Sequence, residues 1–348
     1  MIEWLMLTFS GLQHQVAMLV VYLTWPLFKF MFDGNSRYFW VYCASGLAIS
    51  AFVYYREYAN NQTPKLLFAR KTWMSVSARN DYYVISLATL LRATILSWFV
   101  LNADFVAGVV SDVIQWFGVS GEVNDTTALL LGVALTVTLF VINDFNFFIA
   151  HYTMHRIPEF WEFHKVHHSA EVLNFTTSER AHPFEIVYTS LVSGVTIGLV
   201  NGVFIGFFGD QLTVSTVAGA NIFLFVFNIF GGVLRHSPVW LSFGPTLERW
   251  LVSPAMHHIH HSENPEHYDM NMGASLAIWD RMFGTHYVPK GQEVERFGIG
   301  EETKEFRSLS YIYFGPFVKS FNAARRRFGF SQSDLKRVNK GQASSPTA

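Results

Sequence analysis

Long apolar segments recur along this chain of 348 residues, and they constrain its fold more than any other feature. Segments 38–55, 82–101, 128–150, 186–208 and 211–234 each run about 18 to 24 residues, the length a helix needs to cross a hydrocarbon layer about 30 Å thick. A further apolar stretch, 4–32, leads the chain and is long enough to cross at a tilt. In lipid a helix satisfies its own backbone hydrogen bonds, so helices are the expected form of all of these. Segment 103–119 is apolar too, but it carries Asp104 and Asp112 and is expected to lie at the interface or re-enter. Composition points the same way: 15% of residues are charged, against roughly 25% in soluble domains. The expected fold class is all-α, a polytopic helical membrane protein with about six spans. No basic segment followed by a small-residue cleavage site opens the chain, so the first apolar stretch is expected to be retained.

Charge orients the spans. Lys and Arg number 25 in all; 56–81 holds five, 151–185 three and 235–348 fourteen. None lies between Arg92 and Arg156, a stretch that includes Asp104, Asp112, Glu122 and Asp125. The positive-inside rule therefore places 56–81, 151–185 and 235–348 in the cytoplasm and 102–127 outside. Net charge is −1, and the one basic run, Arg325–Arg326–Arg327, reads as a solvated face, so no nucleic-acid partner is expected.

Chemistry is concentrated in the histidines. Of fourteen, thirteen follow residue 150. His151 and His155 form an H-x-x-x-H box. His164, His167 and His168 form an H-x-x-H-H box, and His257, His260 and His261 form another, with His258 inside it. Residues at i, i+3 and i+4 share one face of a helix. Three helical faces thus offer eight imidazoles, too many for one tetrahedral ion and suited to two ions in one cavity. Cys43 is the single cysteine, so any metal is held by nitrogen or oxygen. Imidazole accepts iron, zinc, copper and nickel, and ligand type does not choose among them.

The neighbours of the boxes suggest further roles. Asp144 falls within about 40–60° of the His151–His155 stripe on a helical wheel. It is expected to accept a hydrogen bond from a ligand imidazole and fix its tautomer. Pro158 breaks the chain between the first two boxes, so two short helices can meet at one site. His236, directly after the 211–234 segment, is a ninth candidate ligand, and His182 is divided between a site role and a loop hydrogen bond. His258 is expected to support the site from behind or face solvent, and His267 and His286 to be structural. Asn221, Asn228 and Arg235 recur every seven residues as a polar stripe, for helix contacts or a substrate channel.

With these residues in view, the chain resembles the fatty acid hydroxylase/sterol desaturase superfamily, over roughly 140–290. The resemblance rests on the three boxes in order, on His164-Lys-Val-His-His-Ser-Ala-Glu-Val-Leu-Asn174 with Arg180 and His182-Pro183, on Ser253-Pro254, on His261-Ser-Glu-Asn-Pro265, and on Ile278-Trp279-Asp280-Arg-Met-Phe-Gly284-Thr285. Within the superfamily, the stretch after His168 is similar to the bacterial sterol-desaturase-like branch and to the alkylglycerol monooxygenases. The resemblance implies a membrane-embedded non-haem di-iron oxidase with a histidine-box helical cap on the cytoplasmic face. It implies ligand roles for His151, His155, His164, His167, His168, His257, His260 and His261, with His236 and His182 in the place where such proteins carry further histidines. It also implies O2 as co-substrate and hydroxylation, or desaturation, of a fatty acyl, alkyl or sterol-like lipid.

No haem-binding His-Pro-Gly-Gly segment occurs and one cysteine cannot hold a ferredoxin or rubredoxin cluster, so electrons are expected from a separate cytochrome b5-, ferredoxin- or reductase-type partner. The expected organisation is an N-terminal membrane region (1–127), a catalytic region (128–290) and a cytoplasmic tail (291–348). A bacterial inner membrane and an endoplasmic reticulum both suit it. The rival readings are a membrane zinc hydrolase using metal-bound hydroxide and a metal transporter or sensor. The second is disfavoured because the boxes sit at span ends rather than the bilayer midplane.

Overall fold

A computed structural model describes residues 31–58, 69–91, 103–119, 121, 123–209 and 212–329. Nearly all of the expected span 4–32, the far half of 82–101 and the tail Lys340–Ala348 lie outside the described residues. What is described is mostly helical. Helices α1 (Trp40–Tyr58), α2 (Arg70–Met74), α3 (Val76–Leu91) and α4 (Ala103–Trp116) lead to the long α5 (Asp125–Arg156). Then come α6 (Pro158–His168), α7 (Pro183–Phe208), α8 (Ile222–Ile229), α9 (Pro254–His260), α10 (Ile278–Phe283) and α11 (Leu309–Arg327). Among the described residues the only strands are β1 (Thr216–Val217) and β2 (Ala220–Asn221), an antiparallel pair with Thr216 opposite Asn221.

Among the described residues two helices, α5 and α7, are long and apolar enough to cross a membrane. Only 22% and 17% of their most apolar windows are buried within the protein, unlike the core helix of a soluble domain. Local sequence sets their ends. Asn124 caps α5 by accepting from Thr127 N while Thr127 Oγ1 accepts from Asn124 N, a reciprocal cap. At the other end Pro158 cannot continue the helix and instead occupies the first position of α6. Pro183 does the same for α7. The first and second boxes therefore lie on consecutive helices joined at Ile157.

The 103–119 segment is a helix of 14 residues, about 21 Å long and too short to cross alone. It packs along α7 through a seam of Gly198, Gly202 and Gly206, one per turn. A Cβ on Gly198 would come 2.6 Å from Ala103 O, and one on Gly202 2.7 Å from Ala107 O. The backbones touch because no side chain intervenes. Gly202→Leu is expected to force the helices apart and cost about 1–3 kcal/mol. Thermal unfolding in detergent micelles checks this, with Gly108→Ala as control: a Cβ at Gly108 meets nothing within 4 Å.

The 211–234 segment corrects the expectation of a continuous sixth span. It enters as the β1–β2 hairpin, whose turn residues Ala218 and Gly219 have φ of 51° and 85°. It continues as the eight-residue α8 and breaks at Gly231, with φ 101°. The β-branched Thr213, Val214, Thr216 and Val217, followed by Ala-Gly, favour a hairpin over a helix. Thr136 on α5 anchors the segment: its Oγ1 accepts from Ser215 N and its carbonyl accepts from the Asn221 amide. Asn221 therefore serves a helix contact. After Gly231 a tight turn, 232–236, delivers Arg235 and His236 to the interior.

Residues 300–327 pack against the histidine helices. Val84 on α3, Val166 on α6, Phe306 and Ile312 form one buried cluster. Lys165 on α6 pairs with Glu162 and with Glu302, both at 2.9 Å.

Candidate metal centre

All nine histidines expected to ligate meet in two adjacent groups. His151, His155, His164, His168 and His260 form one; His167, His236, His257 and His261 form the other. Within each, one nitrogen per ring lies within 4.8 Å of every other. The groups abut, with the rings of His168 and His261 stacked at 4.6 Å. Boxes two and three each contribute to both groups.

In the group of five, three outer nitrogens have acceptors, three inner ones are without a partner, and His155 Nε2 lies 3.2 Å from His168 Nε2. His151 Nδ1 donates to Met272 O and His260 Nδ1 to Met270 O, each at 2.8 Å. His155 Nδ1 lies 3.1 Å from Asp269 Oδ1. His164 Nδ1 stands 3.1 Å from Glu185 Oε1, at an angle poor for a hydrogen bond. For His151, His155 and His260 these partners keep the proton on Nδ1 and leave Nε2 as a lone pair. Nε2 of His151, His164 and His260 is buried without a partner.

The group of four is tighter. His236 Nε2 lies 2.9 Å from His257 Nε2, 3.1 Å from His167 Nε2 and 3.2 Å from His261 Nε2. Donors about 2.1 Å from one ion would stand about 3.0 Å apart at right angles and about 3.4 Å in a tetrahedron, so these separations come close to those of a shared cation. His167 Nδ1 donates to Arg180 O, while Nδ1 of His236, His257 and His261 has no partner, so the four Nε2 atoms either share hydrogen bonds with one another or turn lone pairs to a cation. Burial and the neighbouring rings push His236, His257 and His261 well below the ordinary histidine range, and burial pushes His260 down to about 3. Neutral imidazoles with convergent lone pairs are the form that binds a metal.

A loop that the sequence reading did not single out supplies the outer partners. Asp269 and Asn271 adopt left-handed φ of 60° and 55°, which these two residue types tolerate best after glycine. That geometry turns Asp269, Met270 O and Met272 O toward three different imidazoles. Asp280 holds the loop by accepting from Met272 N, Gly273 N and Thr285 Oγ1. Burial raises its carboxyl to about 6. The Asp-Met-Asn-Met stretch between box three and Trp279 was the available signal.

The expected bond from Asp144 to a ligand imidazole is not formed. Its carboxylate accepts from Ser275 N, Leu276 N and the Trp279 indole instead. Asp144 shares the wheel position of the histidines but sits two turns earlier, level with the 273–279 backbone rather than the rings. It anchors the continuation of the acceptor loop.

His182 stands in neither group; of the two roles expected for it, the structure forms the hydrogen-bonding one. It caps α7: Nδ1 accepts from Phe184 N at 3.0 Å, and Nε2 donates to Tyr313 O at 3.1 Å. Burial pushes its pKa from 6.5 to about 4. The folded value lies below the unfolded one, so its stabilisation is complete above pH 6.5 and is lost as pH falls toward 4. His182→Asn keeps a cap without a titrating ring. The variant is expected to flatten the fall in thermal stability between these pH values, by about 1 kcal/mol.

His258 is buried, with its ring pointing away from both groups toward Trp240 and Phe297. His267 is buried against Tyr287, and His286 donates to Glu248 O. His14 lies outside the described residues.

Behind box two, Arg180 is fully buried. It donates to Val166 O, Ser77 O, Ser169 Oγ and Asp81 Oδ1, the last at 2.8 Å. Its own carbonyl accepts from His167 Nδ1. A cavity of about 70 Å³ opens between the groups and the long helices, walled by Phe147, Met154, Ala181 and Thr189 and reached by Arg37, Arg235 and Glu185.

A helical scaffold that buries two adjacent all-imidazole groups defines a candidate dinuclear metal protein. In comparison with known proteins, residues 136–285 match the fatty acid hydroxylase family, so the resemblance carried by the histidine boxes is shown for that segment. Alkylglycerol monooxygenases are among the relatives. The protein from Caenorhabditis elegans is 25% identical over 171 residues, covering 49% of this chain and 30% of its own. That from Danio rerio is 29% identical over 173 residues (49% and 34%), and that from Homo sapiens 30% over 142 residues (41% and 28%). The match thus spans about a third of the length of these relatives. No solved structure matches the chain.

Proposed function

We propose that this chain is a membrane-bound, non-haem di-iron oxygenase that uses O2 to hydroxylate a C–H bond of an alkyl or acyl lipid. One observation carries the reading: nine buried imidazoles converge in two touching groups, with no thiolate and no carboxylate among the inward-facing donors. The family match and the alkylglycerol monooxygenase relatives favour an oxidoreductase acting on lipids over a zinc hydrolase. His151, His155, His164, His168 and His260 would hold one ion; His167, His236, His257 and His261 would hold the other. When bound, iron supplies the redox chemistry that activates dioxygen for cleavage of an unactivated C–H bond.

The chain's own residues do the rest. Met270 O, Met272 O, Asp269 and Arg180 O fix the imidazole tautomers. Phe147, Met154 and Ala181 give the cavity an apolar wall that excludes water from the reacting carbon. Residues 128–290 would form the catalytic region, 1–127 a membrane region and 291–348 a cytoplasmic extension. The Lys/Arg distribution favours the histidine groups lying on the cytoplasmic face of a multi-pass chain, where a separate electron donor would reach them.

The test is lipid mass spectrometry under ¹⁸O2 in cells expressing wild type or His167→Ala at matched levels. A lipid gaining one labelled oxygen only with wild type is the expected result. Loss of two hydrogens without label would make the protein a desaturase. A wild-type-dependent change that persists without oxygen would sink the oxidase reading.

A further inference from the structure

Arg37 lines two cavities at once. One is the cavity of about 70 Å³ that reaches His151, His164, His167, His236 and His257. The other, of about 200 Å³, is lined by Tyr38, Cys43, Leu47, Phe175, Ser178 and Val233 as well. Ser178 is also common to both, so the two spaces meet at Arg37 and Ser178. The outer cavity carries no acidic residue in its lining and opens beside Cys43 and Leu47, on a face of α1 where Trp40 and Leu47 are exposed. That face suits lipid, and the cavity suits a hydrocarbon chain.

The guanidinium of Arg37 makes no hydrogen bond or ion pair with any described residue, although it is half-buried. The inner cavity adds a second cation, Arg235, whose donors engage Gly232 O and Ala274 O. The one carboxylate there, Glu185, is directed at His164. An unpaired cation in an apolar lining is costly, and an anion that joins it recovers the cost, strongly so where the dielectric is low. Arginine's planar fork matches carboxylate and phosphate oxygens.

We propose that Arg37 is the receptor for the anionic head of the lipid substrate, a carboxylate or a phosphate, with the substrate's chain lying along the outer cavity past Cys43 and Leu47. The proposal rests on the lipid-oxygenase reading only in taking this path as the substrate's. It makes Arg37 a specificity-determining residue that separates anionic lipids from uncharged ones of equal chain length.

Cys43 is the chain's single cysteine and lines the outer cavity, so its alkylation by a maleimide reports occupancy without turnover. Three probes of equal chain length serve: hexadecyl phosphate, hexadecanoate and hexadecylglycerol, in nonionic micelles, with the full-length protein both metal-loaded and metal-free. At least one anionic probe is expected to protect Cys43 at about ten-fold lower concentration than hexadecylglycerol. Which one does so assigns a phospholipid or a free fatty acid. Arg37→Ala is expected to erase that difference while leaving hexadecylglycerol unchanged; Arg37→Lys is expected to keep part of it. Equal protection by all three probes in the wild type would overturn the proposal. So would protection by none, or an Arg37→Ala loss that is as large for hexadecylglycerol. Because the readout needs neither iron nor oxygen, a protein that prefers the anionic probe yet incorporates no ¹⁸O would lose the oxygenase reading and keep this one.

Discussion

Purified with iron, the wild type is expected to hold about two ions per chain, and His257→Ala about one, with product formation reduced about 100-fold or more. His257 belongs to the group of four, and its Nε2 lies 2.9 Å from His236 Nε2. His260→Ala removes a donor of the other group and is expected to empty that site instead. The adjacent His258→Ala is the discriminating control. His258 is as buried as its neighbours but belongs to neither group, so both ions should remain. Iron analysis on each variant, with circular dichroism to confirm helicity, reads the result. A His258→Ala protein that loses an ion, or a His257→Ala protein that keeps both, would break the assignment.

The second large effect is expected on stability. Arg180→Met is expected to destabilise the fold by about 3–5 kcal/mol, because it leaves the Asp81 carboxylate buried and unpaired. Arg180 and Asp81 are 1% and 0% exposed. Together they tie α3 to the chain just after box two, and Thr177 Oγ1 adds a bond to Asp81. Denaturant unfolding in micelles measures the loss. The double variant Arg180→Met/Asp81→Leu, which removes both charges, is expected to recover much of it. Arg180→Met is also expected to loosen His167, whose Nδ1 donates to the carbonyl of residue 180.

Much of the candidate site was legible before any fold was known. Histidines at helical spacing, next to a proline and at the end of an apolar run, announce nitrogen donors on one side of a membrane helix. Nine of them, His236 included, lie in the two groups. Local signals were also reliable for helix ends, since Asn124, Pro158 and Pro183 act through neighbours within four residues. Apolar content was a poorer guide where β-branched and glycine residues compete with the helix, and the 211–234 segment shows the consequence: hydropathy measures burial in lipid, not continuity of a helix.

The sequence by itself determined the helical character of the scaffold and the set of histidines that converges, because these follow from composition and from spacing along a helix. Tertiary structure alone decided how the set divides. On a helix His167 and His168 stand about 100° apart, so one box can serve two ions. Which histidine faces which group depends on how α5, α6, α9 and the 232–236 turn are set against each other. Tertiary contact also decided that Asp144 and His182 serve the backbone rather than the rings, and that Arg37 meets the histidine cavity from about 110 residues away in the chain. A side chain's direction is written in local periodicity, but its partner is written in the packing of elements far apart, where small differences in crossing geometry choose among several residues of the same type.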